Sequence, residues 1–256
     1  KIVKNFSKKI FEKFDLCIAS NKETEKYLLS LGAKNIKNYG NLKFANPKSK
    51  KRLDDMYLHK IKNRKIWCAA STHPSEEIFC ANVHKEIKET LDNILTIIIP
   101  RHVDRIQKIK KDLSKLDLKV ILYSNFEEVN NDTDIILVDS YGETSKFYNI
   151  SKSVFIGKSL SESIILDSGQ NPIEASRFGC KIFHGPNVAN FLEIYNFLGT
   201  LGASKQINTV KELSELLVSE FKNESIKNVK IIEKIENYGN QILDNVNKEL
   251  KDYINT

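Results

Sequence analysis

Short runs rich in β-branched and aromatic residues alternate along this chain with stretches of helical periodicity, and few folds accommodate that alternation. The run 94–99 is wholly apolar apart from Thr96, as expected for a parallel strand that is covered on both faces. Helical stretches such as 75–91 carry apolar residues at helical spacing before and after such runs. We therefore predict an α/β fold with a doubly wound, Rossmann-like parallel sheet.

The pattern places the individual elements as follows. Strands are predicted at 16–19, 35–39, 66–70, 94–99, 119–123, 135–138, 153–157 and 181–184. Helices are predicted at 22–31, 75–91, 102–116, from 142, from 171, and at 189–198, 210–221 and 226–253. The last of these is long and amphipathic, so we expect it to pack against another part of the protein.

Charge and composition narrow the class of partner. The formal net charge is +7, which favours an anionic nucleotide, a phosphorylated lipid or a membrane surface. The lysines are scattered and no basic-aromatic motif is present, so nucleic acid is not a predicted partner. No apolar run approaches the ~20 residues of a membrane-spanning helix.

The four cysteines, Cys17, Cys68, Cys80 and Cys180, lie far apart in the sequence and within apolar patterns. This arrangement indicates buried free thiols in a reducing compartment. Histidine and cysteine never cluster at ligand spacing, so no metal site is predicted.

Polar residues follow several predicted strands. In open parallel sheets, ligands bind beyond the carboxyl ends of the strands. The candidate binding residues there are Ser71, Thr72 and His73; Arg101 and His102; Gly142 and Glu143; Ser159; and Gly169, Gln170, Asn171 and Glu174. Each group also has an ordinary structural explanation as a helix cap, turn or loop residue. Their convergence on one edge favours an anionic, nucleotide-like ligand without identifying it.

The segment 167–175 is the most specific of these groups. Asn171, Pro172 and Glu174 occupy the positions expected for N-cap, N1 and N3 of a helix. Free N–H groups at such a start suit an anion, and Glu174 can accept hydrogen bonds from a ribose diol. Gly169 permits a close approach of backbone. The same residues also make a good helix start without any ligand.

The order of the motifs resembles a known family. In sequence they are Ala-Ser-Thr-His from Ala70, Glu76-Glu77, Pro-Arg-His from Pro100 with Arg105, Asp139-x-x-Gly142-Glu143, Phe147-Tyr148, Phe155-Ile156-Gly157-x-Ser159-Leu160, Gly169-Gln170-Asn171-Pro172-x-Glu174-Ala175, and Gly185-Pro186 with Asn190-Phe191. Over about 15–195 this set resembles the 3-deoxy-D-manno-octulosonic acid (Kdo) transferases of lipopolysaccharide biosynthesis. Those enzymes are GT-B glycosyltransferases that move Kdo from CMP-Kdo to a lipid A precursor.

The resemblance implies a role for each candidate. Ser71 and Thr72 would face the phosphate or sugar of the donor, and Arg101 with the Gly142-Glu143 turn would hold CMP. Asn171 and Glu174 would contact the ribose and phosphate region. It also implies transfer without a metal or cofactor, and a general-base carboxylate in an acceptor-binding domain expected before Lys1. No catalytic residue is therefore predicted within this chain.

The same resemblance sets the predicted domains and location. Residues 1–45 would be the end of the acceptor domain, 46–64 an interdomain linker, 65–222 the nucleotide-sugar-binding domain and 223–256 a crossing helix. The expected partners are CMP-Kdo, a lipid A precursor and, peripherally, the cytoplasmic face of the bacterial inner membrane.

The chain also departs from the family pattern. Lys158, Ser168 and Gln170 replace the usual residues, and the loop 161–167 differs. Lys158 would either hold the donor electrostatically or obstruct it. Two other functions stay open at this point: another GT-B enzyme with a different nucleotide sugar, or a non-catalytic nucleotide-binding remnant.

Overall fold

The fold is taken from a computed structural model that describes residues 2–160, 168–223 and 229–254, with side chains from Asn5 onward at the amino end. The chain divides into two compact units. The larger unit is Lys48–Ile232, and the smaller unit combines Lys1–Pro47 with Glu233–Thr256.

The smaller unit contains three helices and a two-stranded parallel sheet. In chain order its elements are α1 (Ile2–Phe11), β1 (Cys17–Ala19), α2 (Lys22–Ser30), β2 (Ile36–Asn38), a 3-10 turn (Leu42–Ala45) and most of α10 (Val229–Ile254). Phe44 meets Tyr238 of α10 edge to face at 5.1 Å, and the Tyr39 hydroxyl donates to Glu249 at 2.5 Å. The long final helix thus packs against residues from the start of the chain, as its amphipathic pattern predicts.

The larger unit is built around seven strands. Its strands are β3 (Lys65–Thr72), β4 (Ile94–Pro100), β5 (Val120–Leu122), β6 (Ile135–Leu137), β7 (Ser153–Ile156), β8 (Lys181–His184) and β9 (Ser204–Gln206). Its helices are α3 (Asp55–Ile61), α4 (Glu76–Lys88), α5 (Ile106–Ser114), α6 (Thr144–Ile150), α7 (Ile173–Arg177), α8 (Leu192–Thr200) and α9 (Val210–Lys222).

The seven strands form one parallel sheet in the order β5-β6-β4-β3-β7-β8-β9. The chain first builds outward from β3 through β4 and then returns to place β7 on the other side of β3. This reversal puts a topological switch point between β3 and β7, the position beside which open α/β sheets usually bind ligands at the carboxyl edge. The predicted Rossmann-like sheet is confirmed.

Apolar residues cover both faces of this sheet, which explains its strand sequences. In β3, Trp67 and Ala69 join one buried cluster, whereas Cys68 and Ala70 join the other. Every residue of β4 is buried. A parallel strand packed between two helical layers has no solvated face, so continuous apolar runs are the expected pattern.

Some elements were not predicted from the sequence. β9 has the polar sequence Ser-Lys-Gln and lies at the edge of the sheet beside β8. Because an exposed edge strand needs few apolar residues, its sequence does not show the pattern by which strands are recognised. α1 and α3 were also missed. The segment 46–64 was predicted to be a linker, yet Leu53 and Ile61 are buried in the core of the larger unit. The functional assignment of residues 1–45 and 223–256 stays a prediction.

Three of the four cysteines are buried, and all four are free thiols in the structure. The predicted burial is confirmed for Cys68, Cys80 and Cys180 and is wrong for Cys17, which is only partly buried. None of the helices in the described ranges is both long and apolar enough to cross a membrane.

Candidate functional site

The switch point between β3 and β7 is organised by one buried carboxylate. Glu76, in the first turn of α4, is 1% exposed. Its Oε2 accepts the backbone N–H groups of His73 at 2.9 Å and Lys158 at 2.7 Å. Its Oε1 accepts those of Ser159 at 2.9 Å and Leu160 at 3.1 Å. Glu76 therefore ties the loop after β3 to the loop after β7.

Gly157 allows the ends of β3 and β7 to lie close to each other and to the Glu76 carboxylate. A Cβ atom at this position would lie 2.5 Å from the Ser71 carbonyl oxygen, 2.6 Å from Glu76 Oε2 and 2.7 Å from Thr72 Cα. Two of these neighbours are backbone atoms, so they have little freedom to move aside. Gly157 lets the two strand ends and the carboxylate meet.

Replacing Gly157 with alanine is therefore expected to lower the free energy of unfolding by about 1–3 kcal/mol, the usual cost of overpacking. Thermal or urea unfolding of the full chain measures the change. Gly199→Ala is the matched control, because its Cβ would meet only Ser204 Oγ, at 3.8 Å. That substitution in α8 is expected to be neutral or slightly stabilising. Equal stability of the two variants would contradict the packing argument.

Thr72 is held by a second buried carboxylate. Its hydroxyl donates to Glu77 Oε1 at 2.9 Å, and the Arg105 guanidinium makes two further hydrogen bonds to Glu77, both at 3.0 Å. Thr72 is fully buried. The Thr72 side chain thus fixes the loop after β3, and its predicted contact with a donor substrate stays a prediction.

Ser71 and Ser159 also shape the two loops. Ser71 has a φ of +55°, at a register shift in the pairing of β3 with β4. The buried Ser159 hydroxyl donates to the Ile156 carbonyl at 2.7 Å and accepts the Gly185 N–H at 2.9 Å. Because the Ser159 hydroxyl is used internally, its contribution to the site is to position the loop.

His73, His102 and Arg101 form a polar edge beside these loops. The rings of His73 and His102 meet edge to face at 5.8 Å. Burial lowers the pKa of His73, and the hydrogen bond to the Ser71 carbonyl opposes that effect. Arg101 is exposed, and its guanidinium has no acceptor within the part of the chain that the structure describes. A free guanidinium at a strand end suits phosphate.

α7 begins one residue later than the predicted helix start, at Ile173, with Pro172 in the N-cap position and no side-chain cap hydrogen bond. Asn171 Oδ1 accepts the Ile173 N–H at 2.9 Å, and Gly169 has a φ of +83° with its missing Cβ position 2.9 Å from Val188 Cα. The Gln170 carbonyl accepts the Tyr195 hydroxyl at 2.9 Å. The predicted N-cap role of Asn171 is therefore wrong, because its side chain accepts the Ile173 N–H from the position before the N-cap. The close approach predicted at Gly169 is present.

Glu174 lies in the first turn of α7 with its side chain accessible to solvent. Surrounding protein atoms raise its pKa, and the charge of Arg177 opposes this effect. An accessible carboxylate of this kind is free to accept hydrogen bonds from a hydroxyl-bearing ligand.

Gly142 and Glu143 follow β6, next to the β4 end that carries Arg101. Gly142 has a φ of +78°, and its carbonyl accepts Lys51 Nζ at 3.0 Å. Glu143 pairs with Lys146 at 2.6 Å and accepts the Tyr123 hydroxyl at 3.5 Å. The Glu143 carboxylate therefore binds Lys146 and Tyr123 within the protein, whereas the Gly142 turn is exposed.

These contacts sort the predicted residues. Six of the predicted binding residues keep polar groups accessible at the carboxyl edge: His73, Arg101, His102, Gln170, Asn171 and Glu174. The other six fix the conformation of the loops: Ser71, Thr72, Gly142, Glu143, Ser159 and Gly169. The loop 161–167, where the sequence departs from the family pattern, lies outside the described residues. Within the described residues, no group of three or more His, Cys, Asp and Glu side chains is placed to hold a metal ion.

Sequence reasoning did not single out the buried network at the opposite edge of the sheet. His84 contacts Thr96 Oγ1 at 2.8 Å and Asp134 Oδ1 at 3.1 Å. Asp134 also accepts Lys88 Nζ at 2.5 Å and the Lys119 N–H at 2.8 Å. Each residue alone resembles a surface polar residue in the sequence, so only the fold brings them together.

The seven-stranded parallel sheet with its switch point between β3 and β7 gives the larger unit a Rossmann-like fold of the GT-B type. Solved structures support this class. The C-terminal CMP-Kdo binding domain of WaaA from Acinetobacter baumannii matches 72% of this chain and 91% of its own length, with a TM-score of 0.59 and 22% identity. A putative UDP-N-acetylglucosamine 2-epimerase from Listeria monocytogenes matches 93% of this chain and 60% of its own, with a TM-score of 0.57 and 14% identity.

Sequence relatives identify the family that the chain resembles. A 3-deoxy-D-manno-octulosonic acid transferase of Rickettsia prowazekii is 30% identical over 221 residues, 85% of this chain and 45% of the relative. The Rickettsia bellii enzyme of the same name is 31% identical over 84% of this chain and 49% of its own length. The Aquifex aeolicus enzyme is 29% identical over 80% and 55%. The predicted resemblance to the Kdo transferase family is confirmed.

The chain spans about half the length of these curated relatives. No family model matches it.

Proposed function

We propose that this chain binds CMP-Kdo and supplies the donor-binding part of an enzyme that transfers Kdo to a lipid A precursor. The observation that carries the proposal is the switch point between β3 and β7, whose two loops are fixed by Glu76 and beside which Arg101 and the two histidines lie. Similarity to Kdo transferases over most of the chain supports this choice of nucleotide sugar.

The proposed reaction is a direct displacement at the anomeric carbon of Kdo, with CMP as the leaving group. The bond from that carbon to the CMP phosphate oxygen breaks as the acceptor hydroxyl attacks. Arg101 and the neighbouring histidines would stabilise the charge that develops on the phosphate. The acceptor proton would pass to a carboxylate outside this chain's candidate residues. The proposal requires no metal or cofactor.

We further propose that the protein works peripherally at the cytoplasmic face of the inner membrane, where a lipid acceptor is accessible. α1 supports this proposal. Phe6 and Ile10 are exposed there, and Lys8 and Lys9 lie on the same helix. Exposed apolar residues beside lysines are typical of helices that lie on anionic lipid surfaces.

Binding of CMP to the full chain tests the donor proposal. Isothermal titration is expected to show CMP binding at least tenfold tighter than UMP or AMP. Arg101→Ala is expected to weaken CMP binding by about tenfold or more, because a hydrogen bond to a charged group contributes about 1.5–3 kcal/mol. Lys108→Ala, which removes an exposed charge from α5, is the matched control. Unchanged binding by the Arg101 variant would contradict the assigned phosphate contact.

A second candidate is a GT-B protein that uses a UDP-sugar. Its support is the similarity of nearly the whole chain to UDP-N-acetylglucosamine 2-epimerase folds, with TM-scores of 0.57 and 0.56. Tighter binding of UMP than of CMP in the same titration would favour this candidate over the first.

A further inference from the structure

An exposed aromatic side chain lies at the same sheet edge and has no role in the site described so far. Tyr141 follows β6 and is 62% exposed. Large aromatic side chains gain free energy when a flat or apolar surface covers them, so an exposed ring at this edge is available for stacking.

Hydrogen bonds hold the Tyr141 loop in place. The Tyr141 hydroxyl accepts the Val103 N–H at 3.4 Å, which joins the loop after β6 to the loop after β4. Asp139, at the base of the same loop, accepts both the Ser124 N–H at 3.0 Å and the Ser124 hydroxyl at 2.6 Å. Three neighbouring strand ends are thus linked, and the ring sits on a supported turn.

The neighbours of this loop set the chemistry of what it can bind. Val103 is two residues after Arg101, so the ring and the free guanidinium belong to adjoining loops of neighbouring parallel strands. A ligand that fits both has a flat, stackable group and an anionic group. A nucleoside monophosphate moiety has this combination, and stacking on an aromatic ring is favourable for any base.

We propose that Tyr141 is a stacking platform for the nucleobase of the donor, with Arg101 on the phosphate. This inference rests on the proposed function and adds a residue outside the motif residues assigned above. The hydroxyl bond to Val103 orients the ring, and the ring itself provides the contact.

Three variants and two ligands test this assignment. Tyr141→Ala is expected to weaken CMP binding by about tenfold, or ~1.4 kcal/mol, near the lower end of the range for base stacking. Tyr141→Phe keeps the ring and is expected to bind CMP within about twofold of the parent chain. Ribose 5-phosphate has no base, so its affinity is expected to be the same for all of them. Tyr27→Ala, which removes a tyrosine of 61% exposure from α2, is the matched control.

The outcomes separate the two proposals. If the parent chain binds CMP but Tyr141→Ala binds it equally well, the stacking role is wrong and the donor proposal stands. If Tyr141→Ala weakens the binding of CMP and of ribose 5-phosphate equally, the stacking role is also wrong, because Tyr141 would then act only through the shape of its loop. If the parent chain binds no CMP, the donor proposal fails first and the stacking proposal fails with it. Circular dichroism of each variant checks that the fold is retained.

Discussion

Replacing Glu76 with alanine is expected to destabilise the larger unit by roughly 3 kcal/mol or more and to abolish nucleotide binding. The substitution leaves four backbone N–H groups without their acceptor. Each buried donor that loses its partner costs about 1–3 kcal/mol, and only partial rehydration relieves this cost. The melting temperature is expected to fall by about 6–12 °C.

Glu76→Gln tests whether charge or shape matters. The amide keeps one oxygen but presents an N–H₂ group toward two N–H donors, so it is expected to recover only part of the stability. Glu89→Gln, at the exposed carboxyl end of the same helix, is the control and should change stability by less than about 0.5 kcal/mol. If Glu76→Ala unfolds at the temperature of the parent chain, the organising role of this carboxylate is contradicted.

Asp134→Asn is expected to lower the free energy of unfolding at pH 7 by about 2–3 kcal/mol, with a difference that shrinks in acid. Burial alone would raise the pKa of Asp134, but hydrogen bonds from His84, Lys88 and the Lys119 N–H lower it far below its ordinary value. A depressed pKa stabilises the folded state above the unfolded value of about 3.9. This contribution is lost progressively as the pH falls below about 5 and disappears fully only below the lowered pKa of the folded state.

Urea unfolding at pH 7, 5, 4 and 3 measures this dependence. The parent chain should lose stability steeply below pH 5, and Asp134→Asn should lose less over the same interval. Asp132→Asn is the control, because Asp132 is exposed and should leave the profile unchanged. A difference between parent and Asp134→Asn that stays constant down to pH 3 would contradict the assigned network.

The predicted elements of the larger unit agree closely with the structure where strands are buried on both faces. β4 was placed to within a residue, because a run of residues that is almost entirely apolar leaves little choice. The predicted bounds of β8 match the observed ones. β9 was missed, since its polar residues lie on an edge. α3 was missed because Pro47 and the surrounding charges mask the burial of Leu53 and Ile61.

For the candidate site, too, some features could be predicted from the sequence and others could not. The sequence placed polar residues after the correct strands, and the close approach at Gly169 follows from local rules. The helix start was predicted one residue too early, with Asn171 rather than Pro172 as the N-cap. The sequence did not show that the polar side chains of Thr72, Glu143 and Ser159 bind other groups of the protein. Those partners come from elsewhere in the chain or from the next turn, and a linear pattern does not show which groups meet.

The sequence by itself determined the α/β class and the parallel sheet, and it placed the candidate binding residues after the strands, because periodicity and strand ends are local properties. Only the tertiary structure decided which polar groups remain available there. Glu76, with two oxygens and four N–H partners from two loops, is fully used inside the protein. Arg101 and Tyr141 stay exposed on neighbouring loops. Availability depends on which loops the sheet order brings together, and that order is a property of the whole fold.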